Sequence, residues 1–152
     1  MQPVVVREQA LLFRVGEGTY GVGVDKVWEI LTPEGVTDLP TPPHQICTAL
    51  AYRGRRLPLI RLSELFGTPL YRVPAEARVL LTESHSGPLG LLVERVVGLA
   101  EISAGQIAPL PVMATVLEPR LFRGVFAQGD GIVVLLDTDG LGGLEEVAQF
   151  HA

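Results

Sequence analysis

The sequence predicts a mostly-β protein built from two similar small units, and three observations lead to this prediction. Apolar runs are short and are interrupted at close spacing by 17 Gly and 12 Pro, which is typical of many strands joined by turns. Only 19% of the 152 residues are charged and 47% are hydrophobic, as expected for a chain that buries a core. The two halves of the chain also resemble each other.

Strands are expected where β-branched and large apolar residues cluster between turn residues. In chain order the expected strands are 10–15, 21–24, 46–54, 55–62, 77–83, 87–102, 121–127 and 131–137. Short helices are expected at DKVWEI (25–30), capped by Asp25, at SELFG (63–67), capped by Ser63, and at LEEVAQF (144–150).

The segment GEGTYG (16–21) has the glycine spacing of a dinucleotide-binding loop, which must be followed by a helix that holds the pyrophosphate. Here Val22 and Val24 alternate with glycine, and Pro33 follows soon after. We therefore interpret the segment as a hairpin turn in which Gly16 and Gly18 supply positive φ angles.

An internal repeat supports the division into two units. YGVGVDKVWEI (20–30) aligns with LGLLVERVVGL (89–99) at an offset of 69 residues, and LPLIRLSEL (57–65) aligns with VVLLDTDGL (133–141) at an offset of 76. We expect one domain over 1–152, with subdomains at about 10–72 and about 76–141, a linker near GTPLYRVPAEA (67–77) and a short helix at about 143–150. Closing each unit into a barrel would remove exposed sheet edges.

Composition argues against several classes of function. A net charge of −5 and dispersed arginines, apart from a group at 53–61, argue against binding to nucleic acid. The single cysteine, Cys47, cannot form an internal disulfide, and with three histidines (His44, His85 and His151) it gives no zinc-binding spacing. No apolar run approaches the roughly 20 residues that span a bilayer. We expect a cytoplasmic protein without metal, cofactor or membrane insertion.

Catalytic and calcium-binding patterns are also missing. In DTDG (137–140) the glycine is fourth instead of sixth, and Ala148 occupies the twelfth position of a calcium loop, so a turn that ends a strand is expected. No G-x-S-x-G pattern occurs, and neither Cys47 nor the serines at 84 and 86 have an evident base with an orienting group. We expect no catalytic residues.

The segment VDKVWEIL (24–31) has too many apolar side chains for all of them to face inward from one short turn. Tryptophan is enriched where protein partners dock, because it combines a large contact area with a polar group. Trp28 is therefore expected either to form part of a partner surface or to close the end of a barrel.

Four consecutive segments resemble the CheW family of bacterial chemotaxis coupling proteins. They cover about residues 10–141 in the order of the family: LLFRVGEGTYGVGVDKVWEIL, PTPPHQICTALAYRGRRLPLIRLSELFG, PLGLLVERVVGLAEISAGQIAPLP and RGVFAQGDGIVVLLD. The resemblance implies two SH3-like five-stranded β-barrel subdomains, without catalytic activity or cofactor.

The resemblance also implies partners and a site. Family members link the cytoplasmic tip of a chemoreceptor (a methyl-accepting chemotaxis protein) to the regulatory domain of a CheA-type histidine kinase, in receptor arrays at the membrane. The positions that match the receptor-binding motif are Val27, Glu29 and Arg53, and Trp28 and Tyr52 are further possible partner-surface residues.

Two departures from the family pattern leave alternatives open. Where the family has Gly-x-x-Asn-Leu-Arg-Gly, this chain has Thr48 in place of the first glycine and Ala51 in place of the asparagine. Glu94 and Arg95 replace an Asp-Gly pair often found in the second half. One alternative is a divergent CheW-like protein that binds one of the two partners and modulates kinase coupling. A small-ligand-binding or hydrolytic domain is another.

Overall fold

The computed structural model describes residues 7–33, 45–68, 70, 72–111 and 118–150. The strands in these ranges are β1 (Arg7–Val15), β2 (Gly18–Gly23), β3 (Val27–Leu31), β4 (Cys47–Tyr52), β5 (Arg55–Arg61), β6 (Arg78–Ser84), β7 (Gly87–Val93), β8 (Arg95–Ser103), β9 (Phe122–Gln128) and β10 (Gly131–Leu136). The helices are α1 (Leu62–Leu65), α2 (Thr138–Gly142) and α3 (Glu145–Phe150). His44 and His151 lie outside the described residues.

The strands form two five-stranded sheets. Sheet one has the order β8-β1-β2-β10-β9, and sheet two has the order β3-β6-β7-β5-β4. Neighbouring strands are antiparallel except for β2 with β10 and β5 with β7, which are parallel. The predicted mostly-β class with two five-stranded units and short helices is confirmed.

The internal repeat corresponds strand by strand to the two sheets, because β1 to β5 and β6 to β10 occupy equivalent places. Leu135 lies opposite Gly21 in sheet one, and Leu59 lies opposite Gly90 in sheet two, in agreement with both offsets. A Cβ at Gly90 would lie 2.8 Å from Leu50 Cδ2, and one at Gly21 would lie 3.2 Å from Leu135 Cδ2. The repeated glycine therefore makes room for the leucines of its own sheet.

The sheets do not follow the subdomain boundaries expected at about 10–72 and about 76–141. Sheet one combines β1 and β2 with β8, β9 and β10, whereas sheet two contains β3 to β7. After β2, a 3-10 turn (Val24–Lys26) leads into β3, which pairs with β6 instead of β1. Because both halves have the same strand pattern, the edge beside β1 could be completed by β3 or by its equivalent, β8. The similarity of the halves does not reveal which of the two strands pairs there.

Three groups of buried side chains stabilise the fold. One lies within sheet one and includes Leu12, Ile102 and Leu135, and one lies within sheet two and includes Leu50, Leu59 and Leu81. The third and largest group draws on both sheets and on the helices: Leu11, Phe13, Val15, Val22, Ile60, Leu62, Leu65, Leu80, Leu89, Leu91, Val93, Leu121, Leu136, Leu141, Leu144 and Val147. This shared core joins the two sheets.

Several expected elements differ in the structure. DKVWEI does not form a helix, since only the 3-10 turn precedes β3, and Asp25 makes no capping hydrogen bond. Ser63 lies buried inside α1 instead of capping it. The expected strand 87–102 divides at Glu94 into β7 and β8. The terminal helix is confirmed as α3.

Two predicted turns have different outcomes. The turn at GEGTYG joins β1 to β2 as predicted, with Gly16 at φ 58°, but Gly18 begins β2 without a positive φ. DTDG begins the short helix α2 instead of a simple turn. Asp137 caps this helix, because its carboxylate accepts hydrogen bonds from the N–H groups of Asp139 at 2.9 Å and Gly140 at 3.1 Å.

Candidate protein-interaction site

The edge strand β3 presents two different faces because successive side chains of a strand point to opposite sides. Val27 and Leu31 are half-buried and pack against the shared core and the core of sheet two, respectively. Glu29 lies between them in the alternation. Trp28 and Ile30 are exposed, Trp28 by 56%. The tryptophan donates a hydrogen bond from Nε1 to the carboxylate of Glu83 at 3.0 Å. Its exposure contradicts the alternative in which Trp28 closes the end of a barrel.

Three of the predicted site residues come together where the two edges of sheet two approach each other. Strands β3 and β4 lie at opposite ends of the strand order, yet the hydroxyl of Tyr52 donates a hydrogen bond to the carboxylate of Glu29. This bond raises the pKa of Tyr52 above its ordinary value. The Nη2 atom of Arg53 lies 3.9 Å from Glu29 Oε2, and its guanidinium lies 5.1 Å from the centroid of the Tyr52 ring. We call Glu29, Tyr52 and Arg53 the edge cluster.

Arg53 adopts an unfavourable backbone conformation at the tip of the β4–β5 hairpin. Its φ is 48°, and it is the only non-glycine residue with a positive φ in the described part of the chain. It forms a two-residue turn with Gly54, whose φ is 75°, and such turns favour asparagine or glycine at both positions. At the equivalent position of the β9–β10 hairpin the chain has Gly129, with φ 58°. The turn therefore does not need an arginine for its geometry.

The charged side chains of the edge cluster are accessible to a partner. The side chain of Arg53 is 76% exposed and that of Glu29 is 38% exposed. An ion pair this long and this exposed contributes little to folding. A partner can therefore contact these charged groups, and breaking the ion pair between them would lower the free energy of unfolding only slightly.

A second pair of exposed apolar side chains was missed by sequence reasoning. Val97 and Leu99 on the edge strand β8 are exposed and occupy the positions equivalent to Trp28 and Ile30. The sequence contained this information, because the offset of 69 residues that pairs Val27 with Val96 also pairs Trp28 with Val97 and Ile30 with Leu99. Each sheet therefore has one edge strand with two exposed apolar side chains.

Charged groups line one cavity of about 310 Å³, at the end of sheet one, formed by Glu8, Gly23, Asp25, Lys26, Arg123, Leu136, Asp137, Thr138 and Asp139. Within it Arg123 donates two hydrogen bonds to Glu8, at 2.6 and 3.0 Å. This pairing lowers the pKa of Glu8 and raises that of Arg123. The two charges therefore satisfy each other across the cavity.

Cys47 lines another cavity, of about 400 Å³, together with Gln45, Ile46, Glu146, Gln149 and Phe150. Burial raises the pKa of the Cys47 thiol, so little of the nucleophilic thiolate is present at neutral pH. No group of three potential metal ligands occurs among the described residues.

Comparisons with known proteins agree with this architecture. The family model described as CheW-like domain matches residues 9–146. The chain is 28% identical over 143 residues to the chemotaxis protein CheW of Klebsiella aerogenes, covering 94% of this chain and 86% of that protein. It is 27% identical over 138 residues to CheW of Rhizobium meliloti, covering 91% and 89%.

A solved structure also resembles the fold. The crystal structure of the scaffolding protein TtCheW from Thermoanaerobacter tengcongensis matches with a TM-score of 0.78 at 22% sequence identity, covering 93% of this chain and 96% of that one. This match supports the arrangement of the two sheets.

Two sheets joined by a common core, with accessible charged and apolar side chains on edge strands, define a protein-interaction module. The chain belongs to the CheW-like domain family. It is a scaffolding and coupling protein of chemotaxis signalling and not an enzyme. Within the described ranges, no helix is long and apolar enough to cross a membrane.

Proposed function

We propose that this protein is a cytoplasmic adaptor that couples chemoreceptors to a CheA-type histidine kinase in arrays at the membrane. Its partners are the helical tip of the receptor's cytoplasmic domain and the regulatory domain of the kinase. The observation that carries the proposal is the edge cluster, in which Glu29, Tyr52 and Arg53 meet beside Val27 on the edges of sheet two.

This arrangement suits a helix from another protein. A docking helix needs apolar contact along one side and a few oriented polar groups that fix its position. Val27 supplies apolar surface at the margin of the shared core. Glu29 and Arg53 supply groups that form charge-assisted hydrogen bonds, which are stronger than neutral ones.

The experiment measures binding of a receptor signalling fragment and of the kinase regulatory domain by calorimetry. We expect Arg53→Ala and Glu29→Ala to weaken receptor binding while the melting temperature changes little, because exposed charges contribute modestly to folding. Arg7→Ala is the matched control, since it removes an exposed ion pair of sheet one, to Glu101 at 4.0 Å. Folded wild-type protein that binds neither partner would contradict the proposal, and equal losses of folding and binding would make these residues structural.

A specific observation favours a second candidate, a protein that binds only one of the two partners. Ala51 is exposed on β4, so the side chain that replaces the family's asparagine offers no hydrogen bond at the surface. The same titrations separate the candidates. Binding of the receptor fragment, together with no detectable heat when the kinase regulatory domain is titrated, would support the second candidate. In that case the protein modulates kinase coupling without binding the kinase domain.

A further inference from the structure

We infer that the contact between the β6–β7 hairpin and the helix α2 is a joint that opens without unfolding either sheet, while the repeat-equivalent contact stays closed. The tip of this hairpin (residues 84–87) belongs to sheet two, and α2 follows β10 of sheet one, so the contact joins the two sheets. We call it the polar joint. The inference concerns the fold and does not depend on the identity of either partner.

The helix α2 is fixed to sheet one and moves with it. It packs on the 3-10 turn Pro119–Leu121, which leads into β9. Arg120 Nη2 donates a hydrogen bond to the carbonyl of Gly143 at 3.2 Å. Gly140 lies so close to this turn that an added Cβ would overlap the carbonyl oxygen of Arg120. A change in the angle between the sheets would therefore separate α2 from the hairpin of sheet two and not from its own sheet.

The polar joint consists of hydrogen bonds near the surface. One carboxylate oxygen of Asp139 accepts a hydrogen bond from the N–H of His85 at 2.9 Å, and the other lies 3.3 Å from His85 Nε2. The hydroxyl of Ser86 donates to the carbonyl of Gly142 at 3.0 Å. The side chain of His85 is 89% exposed and that of Asp139 is 34% exposed. Because water competes for such groups, these bonds stabilise the closed joint only modestly.

The repeat-equivalent contact has different chemistry. At the offset of 76 residues, Phe66, which follows α1 of sheet two, corresponds to Gly142. Phe66 stacks on Tyr20 of β2 with ring centroids 4.6 Å apart, and its centroid lies 6.4 Å from that of Phe122 on β9. We call this contact the aromatic joint. Its rings pack against the shared core, so it buries apolar surface that the polar joint lacks.

The difference between the two joints determines where the molecule opens. Local opening begins where a segment has few apolar contacts and where its hydrogen bonds face solvent. At the polar joint the residue that faces the hairpin is Gly142, which has no side chain to pack, whereas Phe66 fills the equivalent place with a ring. We therefore expect the sheets to rotate about the aromatic joint while the hairpin and α2 move apart.

This rotation would change the relative orientation of the edge strands β3 and β8. Each of these strands belongs to a different sheet and carries two exposed apolar side chains. A protein that contacts both strands would bind one orientation more tightly than the other. Its binding would then shift the equilibrium between the open and closed joint.

Hydrogen exchange of the full-length protein, measured by mass spectrometry, tests which contact opens. In the wild type we expect the amides of α2 and of the hairpin tip to exchange at least about tenfold faster than those of the inner strands β2 and β7. Asp139→Ala removes the carboxylate of the polar joint and should speed exchange at α2 and the hairpin tip about tenfold, with no change in the inner strands. Asp130→Ala, the same change in the exposed β9–β10 turn, should have no effect.

Two neighbouring glycines provide a matched pair of variants. A Cβ at Gly142 would lie 2.5 Å from Ser84 Oγ, so alanine should push the hairpin away from α2. At Gly143 the nearest atom would be 3.5 Å away, so alanine fits and the joint should stay closed. Ser84→Gly removes the side chain that meets the new methyl group. The double variant Gly142→Ala/Ser84→Gly should therefore exchange like Ser84→Gly alone.

Distances between two spin labels, measured by pulsed electron resonance, report the orientation of the sheets. Labels at Ala51→Cys on β4 and Gln128→Cys on β9 occupy exposed positions, one on each sheet. Cys47→Ala ensures that no other thiol reacts. We expect Gly142→Ala to broaden or shift the distribution of distances, and Gly143→Ala to leave it unchanged.

Three results would overturn the inference. An unchanged distribution of distances in both Asp139→Ala and Gly142→Ala would show that this contact does not control the orientation. Faster exchange throughout the inner strands of both sheets would show loss of the whole fold instead of opening at one joint. Wild-type amides around Phe66 that exchange as fast as those of α2 would show that the aromatic joint is not the fixed one.

Discussion

At the scale of single residues, the edge cluster illustrates how far a sequence motif can be interpreted. Family resemblance predicted Glu29 and Arg53 as neighbours in function, and the structure brings them together. It did not predict that Tyr52 occupies the carboxylate of Glu29, because a hydrogen bond between the two edges of a sheet depends on how the sheet curves. The positive φ of Arg53 was equally invisible, since an arginine followed by glycine fits several turn types.

The strained turn gives a prediction for stability. Arg53→Asn should raise the free energy of unfolding by about 1 kcal/mol, because asparagine tolerates the left-handed region better than arginine does. The same variant should bind the receptor fragment more weakly. Urea denaturation measures the first effect and calorimetry the second.

Gly54→Ala provides the complementary control for this prediction. A Cβ at Gly54 would meet no atom within 4 Å. The change in unfolding free energy caused by Gly54→Ala therefore reports only the cost of placing alanine at a φ of 75°. That substitution should lower stability by about 1 kcal/mol. An Arg53→Asn variant no more stable than the wild type would show that the turn relaxes around the arginine.

At the scale of secondary structure elements, β3 was the main error of the sequence-based prediction. DKVWEI was expected to form a short helix capped by Asp25, but hydrogen bonding to β6 holds Val27–Leu31 as a strand. Tertiary pairing therefore overrode a weak local preference. The repeat offered the correction, because the aligned segment 89–99 was itself predicted as strand.

The ion pair between Glu8 and Arg123 joins β1 to β9, which are not neighbours in sheet one. Because Arg123 lowers the pKa of Glu8, the pair's contribution to stability is complete above the ordinary value of 4.5 and is lost as the pH falls through the lowered folded-state value. Glu8→Gln should therefore be less stable than the wild type at neutral pH, and the difference should shrink in acid. Thermal melts across this range provide the measurement, and a difference independent of pH would contradict the assignment.

At the scale of the whole molecule, the sequence revealed the number of units but not how the chain passes between them. The repeat predicted two similar units correctly, whereas the boundary between contiguous halves cuts through sheet one. The strand pattern shows which residues face a core. It does not show which sheet the third strand of each half (β3 or β8) joins, because the two sheets offer nearly equivalent edges. That choice depends on the turn Val24–Lys26 and on the packing of the shared core.

The interleaved sheets predict that neither half folds alone. A fragment of residues 1–72 would contain β1 and β2 without β8, β9 and β10, leaving Gly21 and its neighbours without their parallel partner β10. We expect this fragment and one of residues 76–152 each to give the circular dichroism of an unfolded chain. Native-like β signal from either fragment would show that contiguous halves are independent units.

The shared core makes a further prediction about cooperativity, which repeat-equivalent leucines can test. Leu135 in sheet one and Leu59 in sheet two are both completely buried, in separate cores of similar composition. Truncating either one to alanine should cost about 2–5 kcal/mol. Because both sheets contribute to the same central cluster, loss of either should shift one common unfolding transition, observed equally by circular dichroism and by the fluorescence of Trp28 on sheet two. If Leu135→Ala instead separated an early transition seen by circular dichroism from an unshifted fluorescence transition, the two sheets would unfold independently.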